Sequence, residues 1–206
     1  MPRKPRQARS LATVDAIIDA GFLCVRRHGL QGATTNHIAA AAGLSTGSVY
    51  EYFANKEAIY AAMVQRFLAD VEKLVLRLGP DVARMDIPDA IRTLAFGFHE
   101  LLAGNNGRYL PLLRGILLAD TREVEDLVSK LLTNLVLQYL LNHPQYMRLG
   151  NLQTRAYIII NSGIFNVLRH LSAENPPMPF SELVDGLVEF VTFYVAQAVL
   201  VEGGST

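Results

Sequence analysis

With a single cysteine in 206 residues, the chain can form no internal disulfide. Cys24 sits between apolar neighbours (Phe22, Leu23, Val25), so it reads as a buried structural thiol rather than a redox sensor, in a protein expected to be cytoplasmic. Met1 to Ser10 are basic and lack the apolar core of a signal peptide, so export is not expected. A membrane span needs about 18 to 20 clean apolar residues. The most apolar stretch, Leu187 to Val201, is shorter and holds Glu189 and Gln197, which argues against one. His28, His99, His143 and His170 lack metal-ligand spacing with a second His, Cys or carboxylate cluster, so neither a metal nor a cofactor is expected. No nucleophile motif and no phosphate-binding glycine loop is present, which argues against an enzyme. Net charge is also missing: nineteen Lys and Arg balance nineteen Asp and Glu.

That neutrality hides a division. Residues 1 to 66 carry eight cations (Arg3, Lys4, Arg6, Arg9, Arg26, Arg27, Lys56, Arg66) against four acids (Asp15, Asp19, Glu51, Glu57), and the rest of the chain carries the compensating acidic excess. Arg3, Lys4, Arg6 and Arg9 fall within ten residues without an acid, as in an arm drawn to phosphates.

What the chain has in plenty is helical periodicity. Half of it is apolar, enough for a sizeable core. Leu11, Val14, Ile18, Phe22 and Val25 recur at steps of three and four, an amphipathic helix that Gly29 ends. Thr34 and Thr35 can cap a short helix to about Ala42, and Ser45 can cap another after the Gly43-Leu44 break. Two short helices about a glycine-containing corner are helix-turn-helix geometry. Ile38, Leu44 and Val49 are spaced to meet between them, with Phe53 closing the end, and Asn55 is placed to cap a longer helix. Further helical blocks run roughly from 89 to 102, 111 to 141 with a break near Asp120, 152 to 171 and 180 to 201. The expected fold is all-α with about nine helices: a basic arm at 1–10, a three-helix DNA-binding domain at 11–54 and a larger helical domain at 55–206.

Thr34, Thr35 and Ser45 lie at helix starts, where unpaired N–H groups and the dipole suit a phosphate as well as a cap. Gly47, in the first turn of the second short helix, sacrifices about 1 kcal/mol of helix propensity relative to Ala, which close approach to DNA would justify.

The stretch from Ala33 to Glu57, with its Ala42-Gly43-Leu44-Ser45 corner, Gly47, the Tyr50-Glu51-Tyr52-Phe53 run and the Asn55-Lys56-Glu57 helix start, resembles the DNA-binding module of the TetR family over about residues 9 to 65. The resemblance implies that the second helix enters the major groove with Thr46, Gly47, Ser48 and Tyr50, and that Tyr52 and Lys56 face the phosphates. Asn36 and His37, at the start of the preceding helix, join the groove candidates. This helix lacks Arg, Lys, Asn and Gln, the usual bidentate base readers, so specificity is expected to lean on thymine methyls, DNA shape, Asn36 and the arm.

The same resemblance implies an operator-bound regulator, by default a repressor, whose C-terminal helices enclose a small-molecule effector. Phe96, His99, Tyr109, Tyr139, Asn161 and Phe165 are the candidates to line that pocket, as aromatic walls with sparse polar groups. The blocks at 152–171 and 180–201 are apolar around too much of their circumference for a helix touching only its own core, so a homodimer through them is expected. The competing reading is a helical dimer that binds a ligand or a protein and touches DNA only nonspecifically.

Overall fold

A computed structural model describes residues 5–116, 122–173 and 175–203, all of whose regular structure is helical. In chain order the helices are α1 (Pro5–Gly32), α2 (Thr35–Ala42), α3 (Thr46–Tyr50), α4 (Lys56–Val82), α5 (Ile87–Gly107), α6 (Leu110–Ile116), α7 (Arg122–Asn142), α8 (Leu152–Ser172) and α9 (Phe180–Gly203), with a 3₁₀ turn at Pro144–Arg148. The expected break near Asp120 lies outside the described residues.

Among the helix limits that differ from the sequence reading, α5 runs to Gly107 rather than 102, and three others differ for local reasons. α1 starts at Pro5, so the second half of the expected arm is helical. Proline's fixed φ suits the first position of a helix, and no breaker follows it through Ser10. Gly29 interrupts α1 at φ 71° without ending it. α4 runs through Gly79 and Pro80, where a loop was expected, its last turn held by the buried Val82 and Ala83.

The chain divides into two compact units, Met1–Leu68 with Asn105–Asp120, and Ala69–Gly104 with Thr121–Thr206. α4 thus gives its first half to one unit and its second half to the other.

In the first unit, Ile17, Phe22 and Val25 of α1, Ile38 of α2, Val49 of α3, and Ile59, Met63 and Phe67 of α4 make one core. Leu44 and Phe53, expected with Ile38 and Val49, are half-buried at its rim. α6 packs on α1 and brings Leu112 and Leu113 into this core. Tyr109, just before α6, is 1% exposed. Its ring meets Phe22 edge-on at 5.2 Å and tilts against Phe67 at 5.1 Å. Beside it, Arg108 donates to Asp19 at 2.8 Å and lies over the Phe22 ring at 4.5 Å.

In the second unit α7 packs on α8 and α8 on α9. α5 meets α9 through Arg92, which donates to Asp185 at 2.6 Å. Along α9 the residues Val184, Val191 and Ala198, seven apart, are buried, while Phe190, Phe193 and Leu200 stay exposed. Exposed Tyr157, Ile158 and Phe165 lie along α8. By length and composition α9 is apolar enough to cross a membrane, with mean hydropathy 1.6 over Phe180–Leu200.

Candidate nucleic-acid interface

The expected caps form. Thr34 is the N-cap of α2, its hydroxyl accepting from the His37 N–H at 3.2 Å. Gly43, at φ 68° and ψ 30°, closes α2 in the left-handed conformation that glycine adopts without strain. Ser45 is the N-cap of α3, accepting from the Ser48 N–H at 3.0 Å and sharing a 2.9 Å hydrogen bond with the Ser48 hydroxyl. Asn55 accepts from the Ala58 N–H at 2.8 Å at the start of α4. A further bond joins the two short helices: the Thr46 hydroxyl donates to Asn36 Oδ1 at 3.0 Å.

Behind this surface Tyr60 fixes the corner between α1 and α2, donating to the Leu30 carbonyl at 2.7 Å. Burial, with the nearby Glu57 charge, pushes its phenol up from the ordinary value, so it remains a donor. Lys56 is half-buried, its ammonium 5.5 Å from the centre of the Tyr60 ring. The rings of His28 and His37 stack at 4.4 Å.

What remains turned to solvent is Asn36, His37, Ser45, Gly47, Tyr50 and Tyr52, with Thr35, Thr46, Ser48 and Lys56 partly covered. Tyr50 is 53% exposed although it is a large ring beside the core residue Val49. A Cβ on Gly47 would find only Ser45 Oγ, at 3.7 Å, so its exposed face is clear. Arg3 and Lys4 lie outside the described residues, and Arg6 falls in the first turn of α1. The structure therefore gathers the expected contact residues from Thr34 to Lys56 in one unit. The Thr46–Asn36 bond had no sequence signal, since it joins residues ten apart on different helices.

The effector candidates do not converge on one place. Phe96 and His99, one turn apart on α5, both pack on Phe180, at 5.6 and 4.6 Å, where His170 joins them at 5.5 Å. Tyr139 stacks on His143 at 4.2 Å near the end of α7, and burial pushes its phenol up to about 12. Asn161 donates to the Tyr157 carbonyl of its own helix at 2.8 Å, and Phe165 is exposed. Tyr109 belongs to the core of the first unit, apart from the other five. A groove of about 370 Å³ between α8 and α9 is lined by other residues, among them Asn166, Met178, Glu182 and Phe190. Phe180 and His170 were missed because Phe180 falls at the start of a helical block and His170 was weighed only as a metal ligand.

Residues 17–63 match the family model described as bacterial regulatory proteins, tetR family. Over these residues the chain is similar to the tetR family of bacterial regulatory proteins. Its fold recurs in solved structures of low identity. One is a TetR-family transcriptional regulator from Mesorhizobium loti, at 18% identity and TM-score 0.70, with 91% of this chain and 97% of that one covered. SmeT, the repressor of the Stenotrophomonas maltophilia multidrug efflux pump SmeDEF, matches at 21% identity and TM-score 0.66, covering 88% and 89%. AibR in complex with isovaleryl coenzyme A and operator DNA matches at 16% identity and TM-score 0.63, covering 87% and 97%. The matched residues hold α2, the glycine corner, α3 and the start of α4, so the region of similarity coincides with the solvent-facing surface described above.

Proposed function

We propose that this chain is a tetR-family regulator, a sequence-specific repressor that binds a palindromic operator as a homodimer and releases it when a small, largely apolar molecule occupies the second unit. The observation that carries the reading is the surface of α2, the glycine corner and α3. Three capped helix starts, at Thr34, Ser45 and Asn55, are collected there with an unobstructed Gly47 and the exposed rings of Tyr50 and Tyr52. Helix starts attract phosphates, and the clear glycine admits a close groove wall.

Three features support the rest. The exposed apolar residues of α8 and α9 (Tyr157, Phe165, Phe190, Phe193, Leu200) form a face that a second copy would cover, and two-fold pairing of the copies calls for a palindrome. The segment 105–120 belongs to the DNA-facing unit although both its chain neighbours belong to the other. The second unit is thus continuous in the chain, on both sides, with the segment whose Tyr109 and Arg108 touch α1, and an effector changes DNA affinity by its preference between two states. Effector binding in the family is represented by AibR, whose structure holds isovaleryl coenzyme A and operator DNA.

The test is retention of fragmented genomic DNA by the purified protein at physiological salt, followed by sequencing. A shared palindrome in the retained fragments is expected. Retention without a common sequence would replace the reading with that of a nonspecific helical dimer.

A further inference from the structure

The polar groups on the exposed side of α2 and α3 are unequally committed. Ser45 Oγ accepts from the Ser48 N–H and shares a hydrogen bond with the Ser48 hydroxyl. Thr46 gives its one hydroxyl proton to Asn36. Asn36 is exposed, near the start of α2, and its amide carries one carbonyl acceptor and an amino group with two donors. With Oδ1 directed at Thr46, the amino group is what faces outward, and no described residue accepts from it. Of the groove candidates on these two helices, Asn36 alone has an amide, and its orientation is set from the neighbouring helix.

Base edges in the major groove differ in what they offer such a group. Guanine presents two acceptors side by side, N7 and O6. Thymine presents one, O4. Adenine presents an acceptor next to a donor, so the usual two-bond pairing with Asn requires the carbonyl and the amino group to face the base edge together, and the Thr46 bond opposes the rotation that would turn Oδ1 from α3 to the base. Cytosine presents a donor and repels an amino group.

We propose that Asn36, locked by Thr46, reads the operator as a donor only, and selects guanine at one position in each half-site. Thr46 is then a positioning residue, which sets the choice of base without touching it. This rests on the reading of the protein as a sequence-specific DNA binder, and the test separates the two.

The experiment selects binding sites from random duplex DNA with full-length protein, comparing wild type with Asn36→Ala, Asn36→Asp, Thr46→Val and Thr46→Ser, each first shown by thermal melting to be folded. Wild type is expected to enrich a motif with a guanine in both halves. Asn36→Ala loses the preference at that position alone, with about tenfold weaker binding to the wild-type site, the scale of one good base contact. Asn36→Asp, which also suits a helix start, exchanges guanine for cytosine, whose amino group donates to a carboxylate. Thr46→Val frees Oδ1 and admits adenine at the same position, while Thr46→Ser keeps the hydroxyl and the guanine. A structural bond between two helices would change melting without changing the base selected. If wild type enriches a motif and Asn36→Ala or Thr46→Val keeps every base preference, the proposal is wrong and the wider reading stands. If wild type enriches none, both fall.

Discussion

Replacing Gly47 by alanine should move stability and DNA affinity in opposite directions. Gly47 is the second residue of α3 and lies outside the left-handed region, so alanine fits its backbone. The added Cβ would meet only Ser45 Oγ at 3.7 Å, an ordinary contact, so no overpacking opposes it. The change should therefore recover some helix propensity, about 0.5 to 1 kcal/mol. For a chain of this size that raises the melting temperature by about 1 to 4 °C. The same methyl stands where the groove wall is proposed to approach. Losing one such contact costs about 1 to 3 kcal/mol, or roughly fivefold to a hundredfold in operator affinity. Differential scanning calorimetry and a fluorescence-anisotropy titration on the selected operator would measure the two effects. Gly43→Ala is the control: its φ of 68° strains any side chain by about 1 to 2 kcal/mol, so stability falls while a folded fraction still binds. Operator affinity undiminished in a stabilised Gly47→Ala would refute the placement of α3 against DNA.

Asn55→Ala removes the cap of α4 and should destabilise the first unit by about 1 kcal/mol, read as a lower urea midpoint. Tyr109→Ala empties a fully buried ring site and should cost about 3 to 5 kcal/mol, abolishing operator binding in a gel-shift assay although the residue lies far along the chain from the helix-turn-helix. The buried Tyr139 hydroxyl has no hydrogen-bond partner among the described residues, so Tyr139→Phe should raise stability by about 1 kcal/mol at pH 8. The folded protein holds the Tyr139 proton to about pH 12, whereas the unfolded chain releases it near pH 10. Stability of the wild type should then fall as pH rises through that window, and urea titrations at pH 8 and 11 should show a smaller loss in Tyr139→Phe.

Capping is a local chemistry, and for that reason Thr34, Ser45 and Asn55 were legible from the residues beside them. The ends of α8 and α9 fell within a residue or two of expectation because Gly, Pro and Asn cluster between them. What the sequence withheld depends on distance. Nothing near Tyr109 signals that its ring enters the core of Phe22 and Phe67, and as an aromatic on a C-terminal helical block it resembled a pocket wall. Asn161 was a pocket candidate as one of the sparse polar groups, yet an asparagine inside a helix can turn back to the carbonyl four residues earlier, as this one does to Tyr157. That α9 is apolar around most of its circumference was visible, but not which side faces inward. Burial of Val184 and Val191 together with exposure of Phe190, Phe193 and Leu200 gives the answer.

The insertion of 105–120 into the first unit limits how proteins of this build can be recombined. A chimaera joined at Leu68 would part the first stretch of this unit from Tyr109, Leu112 and Leu113 and leave Phe22 and Phe67 facing a foreign surface. The two halves are not interchangeable cassettes. A transplant must carry residues 105–120 with residues 1–68, or rebuild the face of α1 to suit the incoming α6. Substitutions in that segment and on α1 are therefore expected to be inherited together, even as the second unit drifts.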